Sequence, residues 1–382
     1  MIIDKLTPSD EQLMLQQAAG RFFAREYAFE KRGGYLKSAK RHSPEVWDHM
    51  VAMGWTEMPF AADDGGLEIG MRELCGFAEE MGRHLVIEPY VSTVILAGSI
   101  LASASPSALR RQLIELISRE GSILACATTE PGSGYRLNHV TTQAKSVDGG
   151  YVLSGSKSFV CDAPLAEFIL VSARTSGAVD DLSGIAIFAV PRSSIGLSLV
   201  EHARIDGGLA ADLLLDEVFV NADALLGEPS TGHDLLLRGV QKASLFLAAE
   251  AVGVMKTALD MTTEHVSTRA QFGMPLAAFQ AVQHKIADMF VAMKRAESLV
   301  AVAAAASTDD LNELLAMTHA AKAMAGISGR FVGEQCIQLH GGIGVTDECM
   351  ISHCLKRLLA INALFGNVQH CSKAFRNSIT QR

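Results

Sequence analysis

Aromatic residues and long apolar runs are both scarce in this sequence. Only 6% of the 382 residues are aromatic although 49% are hydrophobic, so the apolar content rests on Ala, Leu, Val and Met, which favours helix over sheet. An unbroken apolar run of about 18 residues, the length that spans a bilayer, occurs nowhere. We therefore expect a helix-rich protein without membrane insertion.

Concentrated positive charge is lacking as well. Lys and Arg together number 33 against 42 Asp and Glu, which gives a formal net charge of −9. Nucleic acids and anionic membranes are bound through concentrated Lys and Arg, so the composition argues against both as main partners. A few Arg residues and helix N-termini are still enough to hold a phosphate-bearing ligand.

The seven cysteines form no C-x-x-C pair and no Cys/His cluster with the spacing of a zinc site. The nearest group, Cys349, His353 and Cys354, is interpreted as ordinary helix-face residues. We expect reduced thiols and no metal. The N-terminal stretch, Met1-Ile-Ile-Asp-Lys, has neither an apolar signal core nor an Arg-rich transit segment, which predicts a cytoplasmic protein.

Helical patterns fill the chain from about residue 8 to 118 and again from about 232 onward. The first helix is expected to begin with Thr7 as its cap and Pro8 in its first turn. The last one, Met350–Ser378, is predicted as a single helical stretch. Between the helical regions lie short β-type runs, among them Tyr151–Ser154 and Phe159–Val160, separated by turn residues.

Regular strand–turn spacing without intervening helices predicts a β-sandwich or barrel and not a parallel βαβ sheet. The long helices that follow predict a helical bundle. The fold class is therefore mainly α with a central β domain. We expect three domains: an N-terminal helical domain over 1–119, a β domain over 120–230, and a helical bundle over 231–382.

Three motifs mark this helix–β–helix order. Residues 128–134 read T-T-E-P-G-S-G at the start of the β region. Residues 269–273 read R-A-Q-F-G at the end of a long helix and are followed by F-Q-A-V-Q-H over 279–284, and residues 338–344 read Q-L-H-G-G-I-G. Each motif alone is typical of a loop, a solvated helix end or a helix stop. The last is no Rossmann fingerprint, because it follows a helix and not a strand.

Together and in this order, the motifs resemble those of the acyl-CoA dehydrogenase family, T-E-P-G-x-G, R-x-Q-F-G with F-Q-x-x-x-H, and Q-x-x-G-G-x-G. The resemblance covers essentially the whole chain. It implies an acyl-CoA dehydrogenase-like fold that ends in a four-helix bundle, FAD as cofactor, an acyl-CoA thioester as substrate, and electron-transfer flavoprotein as electron acceptor. Because the family completes its FAD site with a neighbouring subunit, it also implies a homo-oligomer or a heteromer.

The resemblance further implies which residues meet FAD. A flavin needs hydrogen bonds from a loop that it can approach closely, and its pyrophosphate and adenine need a cation, amide side chains and a glycine-lined turn. The matching positions are Thr129, Phe159, Cys161, Arg269, Gln271, Phe272, Gln280, Gln338, Gly341, Gly342, Asn367 and Gln369.

The residue that should abstract the α-proton is missing from its usual place. The family carries a glutamate in a Y-E-G-T turn near the C-terminus, where this chain reads L-F-G-N and has Phe365. A minority of the family carries it on a long helix, at the position of Ala243 here. Glu250, two turns further along, is a further candidate by environment. We expect it instead to be a structural carboxylate, hydrogen-bonded inside the bundle.

The L-F-G sequence resembles bacterial members that act as one subunit of a heteromeric enzyme, such as the pimeloyl-CoA dehydrogenase small subunit. This implies a partner subunit that supplies the base. The alternative is a non-catalytic subunit that completes the FAD site. Another flavin enzyme on the same scaffold, and a CoA-ester-binding protein without a redox role, stay open. The residues do not specify the acyl chain.

Overall fold

The computed structural model describes residues 9–306 and 310–380, which divide into two compact units, each discontinuous in sequence. One unit holds the described residues of 1–34, 70–86 and 244–382, and the other holds 35–69 and 87–243. Along the chain, helices come first, strands second and helices last, so the expected helical–β–helical order is confirmed. The domain boundaries expected at 119 and 230 stay a prediction.

The N-terminal helices begin with a capped helix. Ser9 precedes the first helix, and its hydroxyl accepts the amide hydrogen of Gln12 at 3.1 Å. The cap is therefore Ser9 and not the expected Thr7, which lies with Pro8 outside the described residues. Two π-helical segments, Val91–Ala97 and Leu116–Glu120, adjoin later helices. The α-helices are α1 (Asp10–Glu26), α2 (Phe29–Lys37), α3 (Pro44–Ala52), α4 (Met71–Arg83), α5 (Gly98–Ser103) and α6 (Ala108–Glu115).

The β region forms one sheet made of two halves. Its strands are β1 (Leu124–Ala127), β2 (Gln143–Val147), β3 (Gly150–Cys161), β4 (Phe168–Arg174), β5 (Ile185–Pro191), β6 (Leu197–Ala203), β7 (Leu209–Asn221) and β8 (Leu225–Leu226). The order is β6-β7-β3-β2-β4-β5-β8, with β1 pairing β4. One parallel residue pair, Gln143 with Arg174, joins the two halves. The β1–β4 pairing is also parallel, which the sequence reasoning did not anticipate.

β3 replaces two strands that were predicted separately. Tyr151–Ser154 and Phe159–Val160 belong to one strand, which pairs with β7 through two register shifts, the second lying between Lys157 and Val160. A bulge inserts an extra residue without ending the ladder, so the alternation of apolar residues breaks while the strand continues. Phe159 lies at this second bulge with φ +52°.

The C-terminal helices are longer, and one predicted helix is broken. The elements are α7 (Gly232–Thr268), β9 (Ala270–Gln271), β10 (Met274–Pro275), α8 (Gln280–Ala304), α9 (Leu311–His340), α10 (Met350–Ala363) and α11 (Val368–Thr380). The single helix predicted over Met350–Ser378 is wrong. Phe365 and Gly366 have φ of +58° and +129°, outside the right-handed helical region, and separate α10 from α11.

α4 and α7 cross closely within one unit. A Cβ at Gly82 would collide with the carbonyl oxygen of Glu250, and a Cβ at Gly253 with that of Glu79. Glycine at both positions therefore lets the two backbones touch. Within residues 9–306 and 310–380, no helix combines the length and apolarity needed to cross a membrane.

Candidate active site

The loop after β1, residues 128–134, leaves room around its main chain. Gly132 and Gly134 have φ of +82° and +59°, and a Cβ added to either would meet open space. Thr129 is half-buried, and its carbonyl accepts the amide hydrogen of Ser158 at 2.8 Å. The structure thus brings Thr129 beside β3, which carries Phe159 and Cys161.

Glu130 anchors this loop from within the protein. Its buried carboxylate accepts hydrogen bonds from Lys157 Nζ at 2.6 Å and from the amides of Thr141 and Thr142 at 2.6 and 3.1 Å. Burial raises the pKa of Glu130, but the charge of Lys157 and these hydrogen bonds outweigh it and hold the pKa at about 2. Lys157 also donates to Ser172 Oγ at 2.9 Å. This anchor was not expected from the sequence, because no local signal marks Lys157 as buried.

Phe159 is 51% exposed and is held in its left-handed conformation by a neighbouring strand. Its amide donates to Asp212 Oδ1 at 2.8 Å, and Asp212 Oδ2 lies 3.1 Å from His202 Nε2. The amide of Phe159, and then His202, lower the pKa of Asp212. Asp212 and His202 therefore support the bulge of β3 at Phe159, two residues before the half-buried Cys161. Neither residue was expected from the sequence.

Arg269, Gln271 and Phe272 lie on an exposed hairpin that follows α7. β9 and β10 are joined by a two-residue turn with φ of +56° and +82°, the left-handed conformation that tight hairpins favour. Phe272 is 90% exposed and makes an edge contact with Phe279, their ring centroids 6.3 Å apart. Gln280 is exposed at the first position of α8. The hairpin and this helix end thus present their polar side chains to solvent.

Two stacked imidazoles join this hairpin to the glycine turn after α9. The ring of His340, the last residue of α9, stacks on His265 in the last turn of α7, with centroids 4.3 Å apart and planes inclined by 18°. The chain then turns at Gly341, where φ is +67°, and a Cβ at Gly341 or Gly342 would meet open space. Gln338 is exposed one turn earlier. The stack therefore brings the end of α7, which precedes Arg269, next to the end of α9, which precedes Gly341.

The turn between α10 and α11 carries the remaining predicted positions. Phe365 is half-buried, and Gln369 is exposed in the first turn of α11. Asn367 precedes α11, and its Oδ1 accepts the amide hydrogen of His370 at 2.9 Å. Asn367 therefore caps α11. Its side-chain oxygen is engaged in this cap, and its contact with FAD stays a prediction.

Glu250, the further candidate for the base, is fully buried and ion-paired. Arg357 donates from Nε to Glu250 Oε1 and from Nη2 to Oε2, both at 2.6 Å. This is a bidentate pair, in which both carboxylate oxygens are used. The expected hydrogen bonding of Glu250 inside the bundle is confirmed. Ala243, the minority position for the base, is fully buried and offers only a methyl group.

No metal centre is formed by the residues that the structure describes. Across 9–306 and 310–380, no group of three or more His, Cys, Asp or Glu side chains could hold an ion. All seven cysteines carry free thiols. Cys354 lies in the core, where burial raises its pKa to about 12, while its neighbour His353 donates from Nε2 to the carbonyl of Asp347 at 3.0 Å.

Known protein families account for nearly all of this sequence. Residues 9–120, 125–216 and 231–370 match the N-terminal, middle and C-terminal domains of acyl-CoA dehydrogenase. The chain belongs to the acyl-CoA dehydrogenase family. Acyl-CoA dehydrogenases are flavoprotein oxidoreductases, and their cofactor is FAD.

Individual acyl-CoA dehydrogenases resemble the chain to different extents. A 2-methylacyl-CoA dehydrogenase of Solanum tuberosum is 30% identical over 242 residues, and the chain spans 58% of that protein's length with 62% of its own. The solved Tcur3481-Tcur3483 steroid ACAD G363A variant is 26% identical with a TM-score of 0.86, covering 97% of this chain and 98% of that one. The ChsE4-ChsE5 complex from Mycobacterium tuberculosis, 23% identical with a TM-score of 0.89 over 99% of both chains, shares the fold.

The described residues of each unit, taken by itself, fit a part of FAD in their chemical character. One unit offers the open main chain of loop 128–134 and the exposed ring of Phe159. The other offers the exposed cation of Arg269, the amide of Gln271 and the open turn at Gly341. A flavin, a pyrophosphate and an adenine are bound by such groups. The assignment of each residue to a part of FAD stays a prediction.

Proposed function

We propose that this chain is one subunit of an FAD-dependent acyl-CoA dehydrogenase that desaturates the α–β bond of a CoA thioester with a base supplied by a partner subunit. The observation that carries the proposal is Phe365. It occupies the turn where the family places its glutamate, and the residues of that turn, 364–367, include no acid.

Desaturation requires two acts that are divided between protein and cofactor. In the family, the β-hydrogen passes to FAD as hydride. A carboxylate must remove the α-proton, and a phenylalanine ring has no proton acceptor. Ala243 has none either, and Glu250 uses both oxygens on Arg357. Each of the three positions considered for the base is therefore without a free carboxylate.

A partner that carries the base is consistent with heteromeric relatives. The 26% identical solved structure is named for two proteins, Tcur3481 and Tcur3483, and for a steroid substrate class. We propose that this chain pairs in a similar way, passes its electrons to electron-transfer flavoprotein and acts in the cytoplasm. The acyl chain is left open, since no charged pattern around residues 75–100 or 243–252 indicates a terminal carboxylate on the substrate.

The second candidate is a non-catalytic subunit that completes the FAD site of its partner. It is favoured by one specific contrast. The Arg269 hairpin and the Gly341 turn, which the family contributes to a neighbouring subunit's FAD, are present and exposed, while the base is absent. The two candidates differ in whether the chain's own FAD can be reduced once a base is provided.

The test restores the missing carboxylate. Phe365→Glu is compared with Phe365→Gln, which has the same size as the glutamate variant and no proton acceptor at neutral pH. Each chain is expressed alone, loaded with FAD, and mixed anaerobically with a set of acyl-CoA thioesters. We expect the visible flavin band of the wild-type chain and of Phe365→Gln to persist, and that of Phe365→Glu to bleach.

Two results would count against the proposal. Bleaching of the wild-type chain alone would mean that it holds its own base, and Glu250→Gln would then be tested. A folded, yellow Phe365→Glu chain that no thioester bleaches would favour the non-catalytic subunit. Co-purification of the wild-type chain with a second acyl-CoA dehydrogenase subunit, and bleaching only by that complex, would support the proposal.

A further inference from the structure

Lys322 of α9 is almost completely buried, and its ammonium group donates hydrogen bonds to main-chain carbonyls. It is 2% exposed, and its Nζ donates to the carbonyl oxygens of Ile361, Leu364 and Gly366 at 2.8, 2.9 and 2.8 Å. Burial lowers its pKa to about 8, so at neutral pH the group is an ammonium with three hydrogens. Its three donors therefore match three acceptors.

The three carbonyls belong to the end of α10 and the turn that follows it. A helix end leaves its last carbonyls without partners inside the helix, and it carries partial negative charge. Lys322 satisfies two of these carbonyls, those of Ile361 and Leu364, and fastens them to the carbonyl of Gly366. The side chain of Lys322 thus holds the main chain immediately before and immediately after Phe365.

The conformation that Lys322 fixes is an unfavourable one. Phe365 has φ +58°, and Gly366 has φ +129°, where any side chain would also press on Cys371 Sγ at 2.9 Å and on His370 at 3.0 Å. A left-handed non-glycine residue and a buried lysine both cost free energy, and such features persist where the surroundings over-determine them. Strain of this kind is typical of functional turns.

Among the described residues, the titratable groups that act on Lys322 or are affected by it carry no opposing charge at neutral pH. His319 lies on the same helix, and burial, followed by His370 and Lys322, lowers its pKa to about 4. Burial and the charges of Lys322 and Lys373 lower the pKa of His370 in α11, whose ring meets His319 edge-on at 6.0 Å. Burial raises the pKa of the Cys371 thiol. The main-chain carbonyls are therefore what compensates the ammonium.

We propose that Lys322 is the positioning residue of the α10–α11 turn: by holding the carbonyls of Ile361, Leu364 and Gly366, it keeps position 365 and the predicted FAD contacts that follow, Asn367 and Gln369, in place. Because these three hydrogen bonds go to main-chain carbonyls, the turn keeps its shape whichever side chain stands at 365. The part of this proposal that concerns FAD rests on the proposed function, whereas the part that concerns the turn does not.

The experiment compares Lys322→Met with Lys356→Met by hydrogen exchange and FAD binding. Methionine keeps the length of lysine without its donors, and Lys356 on α10 makes a surface ion pair with Asp347 and serves as the matched control. The turn has protected amides to monitor, at Leu364, Val368, His370 and Cys371. We expect exchange over 364–371 to rise about tenfold or more in Lys322→Met while α8 is unchanged, and FAD affinity to fall about tenfold.

Several outcomes would overturn the proposal. Exchange over 364–371 that stays within about twofold of wild type, or that rises equally in α8, would refute the positioning role. Faster exchange in the turn with unchanged FAD affinity would refute its link to FAD. If no form of the chain binds FAD, the proposed function fails, and exchange still decides the role of Lys322. Should Lys322→Met fail to fold, Lys322→Gln, with two donors on a shorter arm, should give an intermediate exchange rate.

Discussion

Glu130→Gln is the substitution whose effect on stability the structure defines best. Glu130 and Lys157 are both buried, 2.6 Å apart, and removing one partner of such a pair costs about 3 to 5 kcal/mol because the other charge stays buried alone. Glutamine keeps one oxygen for Thr141 or Thr142, and Lys157 keeps Ser172, so we expect the lower end, about 3 kcal/mol. For a compact unit of this size, that corresponds to a fall in Tm of roughly 6 to 12 °C.

The protein contains its own reporter for this experiment. Its two tryptophans, Trp47 and Trp55, are both buried in the same unit as Glu130, so thermal or urea unfolding followed by tryptophan fluorescence reports on that unit. Lys157→Met and the double variant complete a double-mutant cycle. The double variant should be less destabilised than the sum of the two single variants. A change in Tm below about 2 °C for Glu130→Gln, or strict additivity in the cycle, would show that the pair is not the anchor described.

The contacts of Glu130, Glu250 and Gly253 each predict a change in stability that can be measured. The pKa of Glu130 lies at about 2, below its ordinary value of 4.5, so its contribution to stability is complete above about pH 4.5 and is lost as pH falls toward 2. Glu130→Gln should therefore weaken the dependence of stability on pH between about 4.5 and 2. An unchanged pH dependence in the variant would contradict the assignment. Glu250→Gln should lower stability by about 3 kcal/mol because it removes the carboxylate charge that faces the buried guanidinium of Arg357. It should leave flavin reduction per folded molecule in the partner complex unchanged, and loss of reduction in a folded variant would make Glu250 catalytic. Gly253→Ala should destabilise by about 1 to 3 kcal/mol because its methyl meets the carbonyl of Glu79, whereas the control Gly33→Ala, in open space on α2, should be neutral or stabilising in the same thermal melt.

Local signals in the sequence were enough to predict the order of helices and strands and the helix ends next to Arg269 and Gly341. Gly341 after α9 lies where a helix end was predicted, and Arg269 and Gln271 follow a long helix as predicted, although the hairpin that they form was not predicted. The break between α10 and α11 was missed because the apolar pattern runs on through Phe365. Gly366 and Asn367, a permissive residue and a good cap, were the available signal.

What the sequence could not provide are contacts between distant residues. The parallel pairing of β1 with β4 joins segments about 40 residues apart, and no local pattern encodes it. Lys157 and Lys322 are almost completely buried, against the usual exposure of lysine, because each finds oxygens from another part of the chain. A lysine surrounded by alanine in sequence, as Lys322 is, carries no sign of those partners.

Under the function that we propose, main-chain hydrogen bonds explain how the turn around Phe365 can form with no carboxylate at that position. Lys322 holds the turn through three carbonyl oxygens, and the left-handed φ at Phe365 is a property of the backbone. Neither depends on a carboxylate at 365, so the proposed replacement of glutamate by phenylalanine would remove a proton acceptor and leave these supports in place. The shape of the turn therefore depends on its main-chain hydrogen bonds, whereas its chemistry depends on the side chain at 365. A carboxylate returned at 365 should thus meet a turn already shaped to hold it.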